Sequence, residues 1–357
     1  MLVIWNADHR AYKKLTILTQ KNGCDTNVNG KISHQADTEI MTTTSANQYC
    51  SPQTKKTLRL SFSPSLITLG TAQLGLEYGL ANRSGMPTAT EAENILNTAH
   101  TGGITSFDTA RNYGCSEERI GHWLKTKKHH ETKIISKLPP INAASSTNVS
   151  VLVRKFLNAS IAALRTHKID LLLAHRGSDL LNEDVIKALE QAKIDGCIDN
   201  IGASVYDPEI AKCLIRSTPI SAIQVPVSIL DTRMVNEGVL EYAYGSGVAV
   251  FARSVFLQGV VFMKTVDLPR HLKPLLEPIT ALQHIASDLG LPMNALALNA
   301  VRDLHEIASI VLGVERAEQL APHIANISLP PLPKDVLDQI LNVTRTIPHD
   351  IVNPSHW

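Results

Sequence analysis

Cysteine, aromatic side chains and net charge are all in short supply in this 357-residue chain. The five cysteines, Cys24, Cys50, Cys115, Cys197 and Cys213, form no CxxC pair. That excludes a disulfide framework at this length and argues against a structural zinc, so they read as free thiols of a reducing compartment. Aromatic residues make up only 4%, so the 44% of apolar residues must build a core from Ala, Leu, Ile and Val, a balance that excludes a disordered chain. Lysine plus arginine exceed aspartate plus glutamate by 34 − 33 = +1, too little to draw nucleic acid or an acidic membrane surface. No address is visible either. The apolar start, Met1 to Trp5, is followed by Asp8 and Arg10, too soon for a signal-peptide core. The longest apolar stretch, Gly245 to Met263, carries Arg253 and Gln258 near its middle. An arginine at a bilayer centre costs roughly 2.5–3.5 kcal/mol, so a buried strand and loop is the expected use of this stretch. A cytoplasmic protein without a membrane span is expected.

What is present is a rhythm. Residues 1–57 are polar and without sustained period, and Thr38 to Lys56 reads as a solvated linker. They are expected to form an N-terminal extension with little core of its own, or else a small segment packed on the main domain. From Leu58 onward, short nearly continuous apolar runs alternate with loops and amphipathic helices. The runs begin at Leu66, Ile104, Lys133, Ile169, Ile198, Ala222, Val248 and Ser309, as parallel strands buried on both faces should. Thr88-Ala89-Thr90-Glu91 has the form of a capping box, Ala92, Ile95, Leu96 and Ala99 share one helical face, and Gly102-Gly103 stops the helix. Asn182 opens another helix, with Val185, Ile186, Leu189 and Ala192 on one face and Gly196 beyond its end. Eight βα units predict an α/β fold, a (β/α)8 TIM barrel over residues 58–357 preceded by the polar extension. A doubly wound open sheet is the other architecture, weakened by the lack of GxGxxG after the first strand.

A barrel offers for chemistry the side chains at the C-terminal ends of its strands. Reading only those ends gives Asp108 and Tyr113 after the second strand, Lys137 after the third and His175 after the fourth. Ser204 follows the fifth, Gln224 lies within the sixth, Arg253 ends the seventh and Gly313 follows the eighth. A free tyrosine, with a pKa of about 10, is a poor acid near neutrality. An ammonium beside it favours the phenolate, and an aspartate pairing with that ammonium holds it in place. A histidine can orient a substrate oxygen, so the four suit polarisation and protonation of a carbonyl. No protein side chain delivers hydride, which implies a nicotinamide cofactor.

The run Leu69-Gly70-Thr71-Ala72-Gln73-Leu74-Gly75, then Phe107-Asp108-Thr109-Ala110-Arg111-Asn112-Tyr113-Gly114-Cys115-Ser116-Glu117, then Ile120-Gly121 resembles the aldo-keto reductase superfamily, from roughly Leu66 to Ile327. The resemblance implies a tetrad of Asp108, Tyr113 as proton donor, Lys137 and His175. It also implies a cofactor groove across the same rim. Gly70 and Thr71 open it, Ser204 and Gln224 hold the nicotinamide carboxamide, and the segment with Arg253, Ser254, Phe256, Gln258 and Gly259 covers the pyrophosphate. Gly313, Arg316 and Gln319 fall in the adenosine segment, where the Arg316 fork suits a 2′-phosphate. The cofactor implied is NADP(H), with NAD(H) as the other choice, and no metal site is expected. The substrate expected is a small carbonyl compound of sugar type, with no nucleic-acid or membrane partner, for a monomer or a homo-oligomer.

The chain departs from the family pattern in places. Val205 stands where the family has Asn, Arg253 where an aromatic stacks on the nicotinamide, and Val255 where it has Pro. Glu315 beside Arg316 opposes a phosphate. Two other readings stand beside the reductase: a Schiff-base lyase using Lys137, and a cofactor-binding regulatory protein with little turnover. The remaining histidines, including His129-His130, read as solvated faces, and Cys115 as a bystander. Arg176 is either a rim charge balanced by Asp179 or a receptor for a substrate anion. Phe256, Phe262 and Met263 either form an apolar lid or pack their own loop down.

Overall fold

Eight short parallel strands pair in sequence order, and the last closes on the first. They are β1 (Ile67–Gly70), β2 (Ser106–Asp108), β3 (Lys133–Leu138), β4 (Ile169–Ala174), β5 (Ile198–Ser204), β6 (Ala222–Pro226), β7 (Ala249–Arg253) and β8 (Ile307–Gly313). The computed structural model describes residues 57–80, 82, 84–126, 131–141, 148–354 and 357. The extension assigned to residues 1–57 lies, but for Thr57, outside the described residues, as does His129-His130. The helices are α1 (Ala89–Thr101), α2 (Ser116–Thr126), α3 (Val149–Leu164), α4 (Glu183–Ile194), α5 (Pro208–Ser217), α6 (Arg233–Asn236), α7 (Val239–Gly245), α8 (Leu276–Asp288), α9 (Met293–Arg302), α10 (Leu320–Ile327) and α11 (Lys334–Thr344). The predicted closed barrel is the one observed, and the open-sheet alternative is excluded.

Local signals explain the helix starts. Thr88 accepts from the Glu91 amide while the Glu91 carboxylate accepts from the Thr88 amide, and Ala92, Ile95, Leu96 and Ala99 are the buried face of α1. Asn182 accepts from the Asp184 amide at the start of α4. There Ala188 is buried alongside Val185, Leu189 and Ala192, whereas Ile186 is only half-buried: the apolar stripe is turned slightly from the one read off the sequence.

Side chains of a strand alternate between the barrel interior and the surrounding helices. Ile135, Leu171, Leu173, Ala222, Ala249 and Phe251 form the inner cluster. Two residues further along the same faces stand Lys137, His175, Gln224 and Arg253, so the alternation that builds the interior also aims these four polar groups into the top of the barrel. Residues before β1 close the bottom. Leu60 is 8% exposed and joins the inner cluster. The Arg59 amide donates to the Gly247 carbonyl at 2.8 Å, and Ser61 exchanges hydrogen bonds with the buried Asn200 side chain at 3.1 and 2.7 Å.

Candidate functional site

The loop from β2 to α2 is held from three sides. Thr71 Oγ1 donates to the Asp108 carbonyl at 2.8 Å, and Ser116 Oγ sits 2.8 Å from Thr71 Oγ1 and 3.0 Å from Thr109 Oγ1. Glu117, wholly buried, accepts from Ser136 Oγ and from Arg111 at 2.7 Å each. On the third side two glycine backbones touch. A Cβ on Gly75 would lie 1.8 Å from the Tyr113 carbonyl oxygen, and Gly114 has φ +53 with its own Cβ position 2.1 Å from the Gly75 oxygen. Only glycine permits that approach and that φ together. The run Asp-Thr-Ala-x-x-Tyr-Gly-x-Ser-Glu is thus a set of struts around one phenol.

Beneath that phenol lies a buried ion pair. Lys137 Nζ donates to Asp108 Oδ1 and Oδ2 at 2.8 and 2.6 Å and to the Thr109 carbonyl at 3.1 Å, using all three of its protons. Burial opposes the Lys137 charge, but the Asp108 carboxylate and the Tyr113 phenol outweigh it, and its pKa is raised. The ammonium stands 4.8 Å from the Tyr113 ring centroid. Lys137 is 1% exposed and its donors are engaged by Asp108 and Thr109, which weighs against the Schiff-base reading.

His175 meets Tyr113 edge to face, with ring centroids 5.8 Å apart. Burial first, then the charges of Lys137 and Arg253, lower its pKa to about 4, so it is neutral at pH 7. Its Nδ1 is buried without a hydrogen-bond partner. An orphaned acceptor costs less than an orphaned N–H, which favours the tautomer with its proton on Nε2, the nitrogen left to meet a ligand.

These groups open onto a cavity of about 500 Å³, ample for a small-molecule site. Asp108, Tyr113 and His175 line it, together with Gly70, Thr71, Ser204, Gln224, Arg253, Ser254, Phe256, Gln258, Gly259, Gly313 and Gln319. Of the predicted site residues, Lys137 lies behind Asp108, and Arg316 lies outside the lining, exposed, its Nη2 3.3 Å from Ser84 Oγ. Gln224 Nε2 donates to Asp108 Oδ1 at 2.8 Å. Gln319 Oε1 accepts from the Glu315 and Arg316 amides at 2.8 and 3.1 Å, tying the turn after β8. Of the four non-glycine residues with left-handed φ among those described, Ser254, Leu257 and Gln258 fall in the single segment after β7. Strain gathered there is typical of a backbone shaped around a ligand.

The structure also adds residues. Tyr78 and Tyr206 line the cavity; loss of hydration, the Tyr113 and Tyr206 phenols and Asp108, opposed by Arg253, push the Tyr78 pKa up to about 12. Tyr206 lay within reach of the strand-end rule, two residues past Ser204, whereas Tyr78 sits on a loop with no such marker. His323 lines the far end, with Nδ1 buried and unpaired and its ring 5.1 Å from Phe256; this corrects its reading as a solvated face, because α10 turns it inward over the cavity. Phe256 in turn packs on Phe262 at 4.8 Å, while Phe262 remains 46% exposed. Arg176 donates to Asp179 at 2.6 Å and to the Ile141 carbonyl at 2.7 Å, which makes it the balanced rim charge. Among the described residues no His, Cys, Asp and Glu cluster could hold a metal ion, and no helix is long and apolar enough to cross a membrane.

Comparison with known proteins follows this geometry. A family model, the Aldo/keto reductase family, matches residues 66–344. An uncharacterized oxidoreductase of Bacillus subtilis, YqkF, is 26% identical over 275 residues, covering 72% of this chain and 89% of that protein. The L-glyceraldehyde 3-phosphate reductase of Escherichia coli is 26% identical over 285 residues, covering 70% and 82%. Among solved structures, an aldo-keto reductase of Bacillus halodurans in its holo form superposes with TM-score 0.66 at 20% identity, covering 85% of this chain and 98% of that one. The thermostable aldo-keto reductase Tm1743 gives 0.65 at 23% identity, covering 81% and 98%. The two structural likenesses speak to the fold.

Proposed function

The chain belongs to the aldo/keto reductase family, and from that premise we propose that it catalyses NADP(H)-dependent interconversion of a small, sugar-type aldehyde or ketone with its alcohol. The observation that carries the reading is one phenol, Tyr113, set between a buried ammonium and a neutral imidazole at the wall of a cavity. When bound in the groove, a reduced nicotinamide would supply the hydride. Tyr113 gives its proton to the carbonyl oxygen. Lys137, held by Asp108, stabilises the phenolate left behind. His175 donates from Nε2 to the same oxygen and fixes its direction.

The residues present fit such a cofactor. The cavity runs from Ser204 and Gln224 past Ser254, Phe256, Gln258 and Gly259 to Gly70, Thr71, Gly313 and Gln319, and buried Nδ1 of His323 and Nη2 of Arg253 lack partners along its wall. Because the Gln224 amide nitrogen is committed to Asp108, the Gln224 carbonyl oxygen and the Ser204 hydroxyl are the groups that would hold a nicotinamide carboxamide. Arg316 and Ser84, already paired at the rim, favour the 2′-phosphate of NADP over NAD, with Glu315 opposing. Relatives named for L-glyceraldehyde 3-phosphate reduction and for D-arabinose 1-dehydrogenation support a polyhydroxylated substrate, and Tyr78, which keeps its proton, offers such a molecule another donor.

The test is a fluorescence titration with NADPH and NADH, then NADPH oxidation over a panel of aldehydes and ketones, for the wild type and Tyr113→Phe. Loss of a general acid removes about 10²–10⁴-fold in rate, so the variant should lose at least 100-fold in kcat and still bind NADPH. Turnover near wild type removes Tyr113 as the acid, and NADPH binding with no oxidation across the panel favours the regulatory reading.

A further inference from the structure

The loop that joins β1 to α1 carries a phenol into the cavity on a fixed frame. Its two ends are tied together by Arg119 of α2, whose Nη1 donates to the Leu74 carbonyl and, at 2.8 Å, to the Pro87 carbonyl. Inside the loop the Asn82 side chain donates to the Tyr78 and Gly85 carbonyls at 3.1 and 3.2 Å. It accepts from the Ser84 and Gly85 amides at 2.8 and 3.0 Å, so both donors and both lone pairs of one amide are spent on holding the loop. The frame is set against the proton donor. The Gly75 and Gly114 backbones touch, and a Cβ on Gly114 would lie 3.2 Å from Leu76 Cδ2. Tyr78, two residues beyond Leu76, lines the cavity with Tyr113 and His175 and keeps 39% of its surface open, within reach of what enters. Among the described residues no hydrogen bond uses its hydroxyl. Burial first, and then the Tyr113 phenol, push its pKa up to about 12, so it remains a donor at any working pH. The polar groups nearby are committed, Asp108 to Lys137 and Gln224, and Gln319 to the turn after β8. A donor placed so firmly and left unused at a cavity wall is the kind of group that fixes a ligand's orientation.

We propose that the Tyr78 hydroxyl donates to a hydroxyl on the carbon next to the substrate carbonyl, making the enzyme selective for 2-hydroxy aldehydes and ketones. Tyr113 and His175 take the carbonyl oxygen. Strands β1 and β2 are paired neighbours, so the loops that follow them bring Tyr78 and Tyr113 to adjacent positions on the rim. Two donors side by side match the two oxygens of a 2-hydroxy carbonyl compound, whereas a simple alkanal offers nothing to the second. The proposal rests on the reductase reading and names the feature of the substrate that the site reads.

Values of kcat/KM are measured for 2-hydroxypropanal and propanal, which differ only in that hydroxyl, each corrected for its hydrated fraction. In parallel, the NADPH-saturated protein is titrated with propane-1,2-diol and propan-1-ol, followed by cofactor fluorescence. Both are done for the wild type and Tyr78→Phe, with circular dichroism to confirm folding. A neutral hydrogen bond is worth about fivefold in affinity. The wild type should therefore favour 2-hydroxypropanal over propanal, and the diol over the alcohol, by at least about fivefold. Tyr78→Phe should lose that preference in both pairs and keep its NADPH affinity. An equal loss for the two aldehydes in Tyr78→Phe, which a packing role predicts, overturns the proposal. So does an unchanged ratio, or a wild type without the preference. If no aldehyde is reduced, the reductase reading fails by itself, and the diol titration still decides whether Tyr78 reads the hydroxyl.

Discussion

The contact between Gly75 and the Tyr113 loop lends itself to a quantitative test. A Cβ added at Gly75 meets the Tyr113 carbonyl oxygen at 1.8 Å and the Ser116 amide at 2.6 Å, whereas ordinary contact begins near 3.4 Å. Restoring normal contact requires the two backbones to part by about 3.4 − 1.8 = 1.6 Å. The Thr71–Ser116–Thr109 hydroxyl chain anchors the far side of the loop, so the displacement falls on residues 112–115 and carries Tyr113 away from Lys137 and His175. A misplacement of about 1 Å at a reacting group costs on the order of 100-fold, equal to about 2.7 kcal/mol of barrier. Gly75→Ala is therefore expected to lower kcat by at least about 100-fold. Gly75 does not line the cavity, so the affinity for NADPH should change little. Gly103→Ala is the control: its φ of +85 strains an alanine, but nothing lies within 4 Å of the new Cβ, so stability falls while turnover does not. Steady-state NADPH oxidation, fluorescence titration and thermal melts cover both variants. A folded Gly75→Ala enzyme with wild-type kcat would refute the claim that glycine packing sets the phenol.

Lys137→Met leaves the Asp108 carboxylate, 3% exposed, buried without its cation. That is expected to cost about 3–5 kcal/mol in urea unfolding, with Asp108→Asn in the same chain recovering part of the loss. Leu60→Ala empties the barrel floor and should cost about 2–5 kcal/mol without altering NADPH affinity; a loss below 1 kcal/mol would show that residues before β1 are not part of the core. His175 has a folded pKa of about 4 against an ordinary 6.5. Between those values the unfolded chain takes up a proton that the folded protein refuses, so acid draws the equilibrium towards unfolding by up to about 3 kcal/mol. Stability measured from pH 7 to pH 4 should decline more steeply in the wild type than in His175→Gln, and the kcat/KM profile should show no inflection near 6.5 from this residue.

The barrel was legible because parallel strands buried on both faces write themselves as short apolar runs, and their ends name the rim residues. Asp108, Tyr113, Lys137 and His175 were found that way and are brought together by the structure. Less could be read where a role depends on packing between distant segments. His323 looks like any polar helix residue until α10 folds over Phe256, and Arg316 stands at the rim beside Ser84 although its motif places it among the cofactor contacts. The floor formed by Leu60 and Ser61 sits at the end of a polar stretch with no period, so composition alone could not separate it from the extension. Arg253 was visible as a departure from the family pattern, but its stacking on Tyr206 and the lack of a hydrogen-bond partner for its Nη2 needed the fold.

The two cations of the site act oppositely on the two groups beside them. A positive charge near a phenol favours its deprotonated form, and a positive charge near an imidazole disfavours its protonated one. Lys137 therefore does two things from one position: it stabilises the charge Tyr113 acquires on giving up its proton, and it helps hold His175 neutral. The charge of Arg253 reinforces the second effect. Had His175 been free to charge near pH 6.5, it would compete with Tyr113 as the stronger acid, and the identity of the proton donor would change with pH. Depressed to about 4, the imidazole can only donate a hydrogen bond, so the acid role falls to the phenol throughout the neutral range. Asp108 is what permits this arrangement, since its carboxylate is the largest of the interactions that offset the burial opposing the Lys137 charge.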